Sequence, residues 1–587
     1  MAVNQFHGWV NAGQHSIFVS EFLPENGNSR GNVIIAPPFG PEYMHCKASI
    51  RKLCFQLAQA GFSTISFDWP GYGNSTGRLP EPQWLQCAQE CLTQMIQTLS
   101  DKSGTPPSLI CLRSASLPAI EVANGSPLNH LFFWYPYTQG KALIRDFQLI
   151  DHAMRVSPDH DTLTAGGYPL AQSEVESIET LAMTQLSPSA CTSVFTIHSP
   201  EAKRLAYQTA LKEQNIPFSS VVSTELRAMA RQAELSTPPE TDMQCIVQTL
   251  LNNPATSGYV DRLSQPELIS DQWRERVVKY GPWTGFGILS EPNEPSSIQD
   301  CLVIPNTGSG HHCGPNGLHT RLARELCQQG IAAMRFDLRH LGNSGIQPND
   351  NRTDAYCSHA GEDVGQVVSA LTNEGYQRPS LFGICAGAHS CFQYLTRQHP
   401  LHSLGNIFLV NPNTLYWAEG DDAWQPEKNN DEHEAHYHRQ QATNVHAWLN
   451  LLKSPSKWAR IAEVAVTRAF SILKRLVRSG DKTQNRFVED CRTFLNAAQS
   501  LYFIFSPDEP GEQILEAKGG AQLKQLGRQS QMHWLQLING DHTFTTTADR
   551  DELIRVIRSA FTDASPIKKP TQKRAATVSA IAGNRMG

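Results

Sequence analysis

The sequence predicts an α/β fold laid down twice: two mostly parallel sheets, each flanked by helices, one in each half of the chain. Three observations predict it. Short apolar runs alternate with longer amphipathic stretches, the pattern of parallel strands joined by crossover helices. The same landmarks recur at near-constant offsets. Asp68 and Asp337 are 269 residues apart, as are Gly73 and Gly342, while the run 109–116 matches 381–388 at 272 and 132–136 matches 408–412 at 276. Finally, each half opens with two strand-like runs around a turn, 6–10 and 16–22 in the first, 276–280 and 285–289 in the second. A repeat this long reads as a tandem duplication of one fold, not a short-period solenoid.

The 587 residues divide into a first unit at 1–251, a linker at 252–272 where Asn252, Pro254, Ser257 and Gly258 cluster, and a second unit at 273–562. The tail, 563–587, is small, polar and basic, and is expected to be disordered, with an electrostatic contact to a partner as the alternative. With 49 basic against 55 acidic residues the net charge is −6. That excludes the basic excess of a dedicated nucleic-acid binder. The 14 cysteines are scattered without a CxxC pair or zinc-finger spacing. They read as reduced thiols of a cytoplasmic protein, most of them small buried residues. The start, MAVNQFHGWVNAGQ, lacks a basic segment followed by an apolar run, so no signal peptide is expected. No apolar stretch has the roughly 18 residues that a membrane-spanning helix needs.

The segment Pro379-Ser380-Leu381-Phe382-Gly383-Ile384-Cys385-Ala386-Gly387-Ala388 carries the chemistry. An apolar strand runs through G-x-C-x-G into a helical stretch. A tight strand-to-helix turn of this kind holds a nucleophile at the carboxyl end of a parallel sheet. Larger side chains two residues either side would crowd the neighbouring strand and helix. The helix N-terminus favours the Cys385 thiolate, and the amide of Ala386 is placed to donate to an oxyanion. A buried structural cysteine on a tight turn is the competing reading.

The residues that follow favour catalysis. The strand 501–505 ends in Ser506-Pro507-Asp508, and a carboxylate there can orient a histidine. The last strand, 534–538, is followed by Asn539-Gly540-Asp541-His542. The expected triad is therefore Cys385, Asp508 and His542. His533 lies at the wrong end of that strand, and Asp541 reads as a turn former. The second oxyanion amide is expected from the glycine-rich loop after 302–305, at Gly308, Ser309 or Gly310. His311 and His312 are expected to line the mouth of the site and touch substrate, or else to be an exposed loop pair.

At the matching place in the first half stands Arg113, with Cys111 and Ala115 for the two glycines. A guanidinium offers no lone pair for attack. Glu201 matches Asp508, but no histidine follows before His311. Ser114 as nucleophile would need a small residue at Leu112. The first half is thus expected to be hydrolase-like without the chemistry. Arg113 either binds an anion such as phosphate or carboxylate, or forms a salt bridge with Glu201 or Asp68.

At these residues the chain resembles the α/β-hydrolase superfamily. More narrowly, the second half is similar to one of the two hydrolases associated with exosortase A systems, beside bacterial exopolysaccharide genes. It shares "NTGSGHHCGPNGLHTRLARELCQQGIAAMRFDLRHLGNSG", the G-x-C turn and "GDHTFT". The first half is similar to the other type, with "PPFGPEYMHCKASIRKL" and Arg in an L-R-S turn. The resemblance implies a hydrolase but defines no substrate.

Residues 412–500 form a long insertion, expected to be a helical cap over Cys385; it contains Trp417, Trp424, Trp448 and Trp458. Its stretch 457–478 reads as an amphipathic cap helix, with contact to a membrane surface or an anionic carrier as the alternative. The run from His433 to His438 is not H-E-x-x-H, and no metal is expected there or at the site. No cofactor is expected either. These residues point to a cysteine-dependent ester or thioester hydrolase acting on a small-molecule or carrier-bound acyl substrate. An acyltransferase to an alcohol or amine, or a non-catalytic scaffold, are the other readings.

Overall fold

The computed structural model describes residues 2–25, 27–154, 162–188, 190–202, 206–253, 258–259, 261–294, 300–344, 355–397, 403–417, 482–507 and 509–562. The expectations for the cap residues 418–481, including Trp424, Trp448, Trp458 and the His433–His438 run, and for the tail 563–587, lie outside these residues.

The first sheet is built from β1 (Val3–Ala12), β2 (His15–Pro24), β3 (Asn32–Ala36), β4 (Ser63–Phe67), β5 (Ser108–Leu112), β6 (Leu128–Trp134), β7 (Cys191–His198) and β8 (Phe218–Val222). Its order is β1-β2-β4-β3-β5-β6-β7-β8. The pairs β1–β2 and β2–β4 are antiparallel and the rest parallel.

The second sheet comprises β9 (Glu267–Ile269), β10 (Trp273–Tyr280), β11 (Gly285–Pro292), β12 (Asp300–Ile304), β13 (Ala332–Asp337), β14 (Arg378–Ile384), β15 (Leu404–Val410), β16 (Ala498–Phe505) and β17 (Met532–Gln536). Its order is β9-β10-β11-β13-β12-β14-β15-β16-β17. With β9 set aside, the two orders coincide strand for strand. Both sheets have the α/β-hydrolase arrangement.

Burial follows position in the sheet. The central strands β3 and β5 are buried at every residue, as strands covered on both faces must be. Helix Lys47–Gln59 buries Ile50, Leu53, Cys54 and Leu57, a stripe at helical spacing. Helix Ala360–Asn373 does the same with Val364, Val367, Val368 and Leu371. Each sheet thereby gains an apolar cluster on either face. All 14 cysteines are free thiols. Among the described residues no helix is long and apolar enough to cross a membrane.

The turns after β4 and β13 share one design. Asn74 N donates to Asp68 Oδ2 at 2.9 Å, and Asn343 N to Asp337 Oδ2 at 2.8 Å. The hydroxyls of Ser75 and Ser344 donate to the carbonyls of the same two aspartates. Gly73 and Gly342 take φ of +54° and +50°. A Cβ at either would fall about 2 Å from the aspartate carboxylate, so only glycine closes this turn.

The halves meet along these turns. Trp9, Phe18, Leu268, Phe286 and Ile288 form a shared apolar cluster. Trp9 and Gln265 exchange two backbone hydrogen bonds of 2.9 Å. The Arg324 guanidinium donates to the carbonyls of Asn74 (2.8 Å) and Ser75 (3.1 Å).

Candidate active site

β14 runs between β12 and β15 and ends at Ile384, so Cys385 emerges at the carboxyl edge of the second sheet. Its φ is +54°, a left-handed conformation that costs a residue with a Cβ. The backbone is held there by Cys385 N donating to the Val410 carbonyl (3.0 Å) and by His389 N donating to the Cys385 carbonyl (3.2 Å). Both flanking glycines are sterically required. A Cβ at Gly383 would lie 2.2 Å from the Gly387 carbonyl carbon, and one at Gly387 would lie 2.7 Å from the Asn306 carbonyl oxygen. Helix Ala386–Arg397 starts at the next residue, and the amides of its first turn have no intrahelical acceptor.

His542 stands beside Cys385, which acts on its imidazole, and its Nδ1 lies 3.1 Å from each carboxylate oxygen of Glu509. Burial lowers the basicity of this imidazole. Its interactions with Cys385 and with the Glu509 carboxylate outweigh burial and raise it well above its ordinary value. Asp508, the expected acid, lies outside the described residues. The carboxylate found on His542 is that of its neighbour Glu509, which is buried.

Asn411, at the end of β15, ties the two loops together. Its Nδ2 donates to the His542 carbonyl and to Ser506 Oγ, both at 2.9 Å, and its Oδ1 accepts from Ser506 N at 2.8 Å. Asp541 accepts from the amides of Thr543 and Thr545 and so shapes the turn beneath His542. The last strand ends at Gln536, two residues before the expected end, because Glu552 captures the amides of Ile538 and Asn539. His533 stacks on Tyr502 at 4.4 Å, at the far end of that strand.

The loop after β12 carries a carboxylate from the other half. Ser309 N donates to Glu234 Oε1 at 3.3 Å, and a Cβ at Gly308 would fall 2.3 Å from the same oxygen. Of the expected donors in this loop, Ser309 therefore points its amide at Glu234, and Gly310 N donates to the Thr307 carbonyl (3.2 Å). Gly308 takes φ +56° beside them. Sequence reasoning had no signal for Glu234, 75 residues earlier than Ser309. It also missed Tyr356, whose hydroxyl lies 3.9 Å from Cys385 Sγ and whose ring packs on His389. Burial, then the adjacent Cys385 charge, raise the Tyr356 phenol well above its ordinary value, so it stays a donor.

His311 and His312 are both buried, so they are not an exposed loop pair, and His312 has no surface to offer a substrate. His312 is fully buried, with Nδ1 at 2.7 Å from Asp337 Oδ2 and Nε2 at 2.9 Å from Asn74 Nδ2. Burial lowers its basicity, but the Asp337 carboxylate more than compensates and pushes it up to about 10. His311 is 7% exposed and lines a cleft between the halves with Phe18, Lys47, Asp68 and Asn343. The Phe286 ring packs on His312 at 5.0 Å.

Arg113 takes φ +54°, the same as Cys385. Each of its three guanidinium nitrogens has a partner. Nε lies 3.0 and 3.1 Å from the two Glu42 oxygens, the terminal nitrogens donate to the Tyr135 carbonyl (3.2 Å) and the Tyr137 hydroxyl (2.9 Å), and the guanidinium covers the Tyr137 ring at 4.4 Å. Its salt-bridge partner is thus Glu42, neither Glu201 nor Asp68. Burial works against its charge, and Glu42 overcomes that. Ser114 is buried, its hydroxyl bonded to both the amide (2.7 Å) and the carbonyl (3.0 Å) of Phe39.

No protein-family model matches the chain, and no curated protein sequence does. Among solved structures it is similar to the esterase domain of a Rhodothermus marinus protein, at 16% identity and TM-score 0.29, covering 43% of this chain and 96% of that one. It is similar to Est1E from Butyrivibrio proteoclasticus with ferulic acid bound, at 16% identity and TM-score 0.31, covering 42% and 98%. It is also similar to alpha/beta hydrolase domain-containing protein 10 from mouse, at 12% identity and TM-score 0.29, covering 42% and 97%. Likeness at this level carries no functional weight.

Proposed function

We propose that the protein is a cysteine-dependent hydrolase of ester or thioester bonds. One observation carries the reading: His542 sits between the Cys385 sulfur and the Glu509 carboxylate, at the carboxyl edge of a parallel sheet. His542 takes the thiol proton, and the Cys385 sulfur forms a bond to the substrate carbonyl carbon. Glu509 holds the imidazole in position and offsets its positive charge. The tetrahedral oxyanion is received by the Ala386 amide and, of the amides expected in the loop after β12, by that of Gly308, since those of Ser309 and Gly310 already have acceptors. Collapse expels the alcohol or thiol, which takes the proton back from His542. Water, deprotonated by His542, then releases the acid and restores the thiol.

A second reading, transfer of the acyl group to an alcohol or amine, is favoured by Glu234. Its carboxylate stands against the oxyanion loop, where an acceptor with O–H or N–H groups would find a hydrogen-bond acceptor. Incubation with a panel of acyl thioesters tests both readings. Release of free acid that Cys385→Ala abolishes supports the hydrolase, and new ester or amide only with added acceptor supports transfer. Turnover unchanged in Cys385→Ala contradicts both.

A further inference from the structure

His311, His312 and Cys313 follow one another on the loop between β12 and helix Leu318–Cys327, and all three are buried. One donor atom from each lies within 4.8 Å of the other two. We propose that these three residues form a zinc site at the seam between the two halves, with Asn74 of the first half at its fourth corner.

Two imidazoles and a thiolate are the ligand set that zinc prefers. In a tetrahedral site of Zn–N about 2.0 Å and Zn–S about 2.3 Å, ligand atoms stand roughly 3.3–3.8 Å apart. The cluster therefore needs to contract by about 1 Å at its widest. Asn74 Oδ1 is already close, at 3.3 Å from His312 Nε2 and 3.5 Å from Cys313 Sγ. It accepts from Arg335 (2.7 Å) and from the Cys313 thiol (3.5 Å), and loss of that thiol proton on metal binding would turn the second lone pair toward a cation.

Two further features fit a cation. His312 gives Nδ1 to Asp337 at 2.7 Å, the carboxylate–histidine pairing that orients a metal-bound imidazole from behind. His311 Nδ1 is buried and makes no well-formed hydrogen bond among the described residues, which is costly for an imidazole nitrogen without a ligand. Metal binding would take up the Cys313 sulfur as a thiolate, and that charge together with the Asp337 carboxylate would balance a divalent cation. The site uses none of the residues of the proposed triad. Its effect would be to pin the loop of Gly308 and Ser309 against the first half.

The test uses the full chain, stripped with a chelator and dialysed against zinc alone or cobalt(II) alone. The expected result is one equivalent of zinc by elemental analysis. With cobalt, thiolate-to-metal charge-transfer absorption is expected in the near ultraviolet. Cys313→Ser abolishes that absorption, His311→Asn weakens binding at least tenfold, and Cys385→Ser keeps both signals. Circular dichroism verifies that the variants are folded. Parent protein that retains no zinc, or a cobalt spectrum unaltered by Cys313→Ser in a folded variant, overturns the proposal.

Discussion

His542 Nδ1 lies 3.1 Å from both carboxylate oxygens of Glu509, so a buried anion faces the side of the imidazole turned away from Cys385. Replacement Glu509→Gln keeps the shape and removes the charge. Turnover is expected to fall on the order of 10⁴-fold, the scale for neutralising the carboxylate of a triad. Asp508→Asn should leave the rate near that of the parent. Steady-state kinetics on the two variants separates the adjacent acids, and the reverse ranking would return the role to Asp508.

The same contact sets a pH dependence. His542 is raised above its unfolded value of about 6.5 by Cys385 and Glu509, against burial. A raised histidine contributes stability that is fully present below the unfolded value and lost as pH rises through the folded one. The urea midpoint should therefore decline from about pH 6.5 upward, and Glu509→Gln should flatten that decline. Equal slopes in the two proteins would mean that His542 is not held by Glu509.

The nucleophile turn has no room for a methyl group. Gly383→Ala places its Cβ 2.2 Å from backbone atoms of Gly387, which cannot move aside without displacing the helix. A loss of about 1–3 kcal/mol, as for other overpacked sites, is expected in urea unfolding, together with loss of Cys385 reactivity. Ala115→Gly at the matching place of the first half should alter stability by about 1 kcal/mol at most.

Arg113 and Glu42 form a largely buried pair, 14% and 18% exposed. Arg113→Ala strands the Glu42 charge and should cost about 3–5 kcal/mol. The double variant with Glu42→Ala should recover part of that loss. A thermal-unfolding cycle of the four proteins measures the coupling. Arg113→Cys should gain no esterase activity, because no described histidine stands beside it.

Local patterns were legible in the sequence where they decide structure alone. The offset between Asp68 and Asp337 follows from one turn design, and the G-x-C-x-G run from a turn that tolerates no Cβ on either flank. Distances across the fold were not. Asp508 and Glu509 are adjacent carboxylates after a strand end, and nothing local tells which one turns back toward His542. Glu42 lies 71 residues from Arg113, so the pairing depends on the loop after β3 folding over β5. His312 sits in a glycine-rich loop that reads as exposed, yet the first half covers it through Asn74, 238 residues away.

Intact-mass spectrometry after brief exposure to an acyl thioester addresses the central claim most directly. The parent chain should gain one acyl group, mapped to the peptide containing Cys385 and absent in Cys385→Ala. In His542→Ala the adduct should form far more slowly. An adduct on another residue, or none with any acyl thioester, would contradict the assignment of Cys385 as the nucleophile.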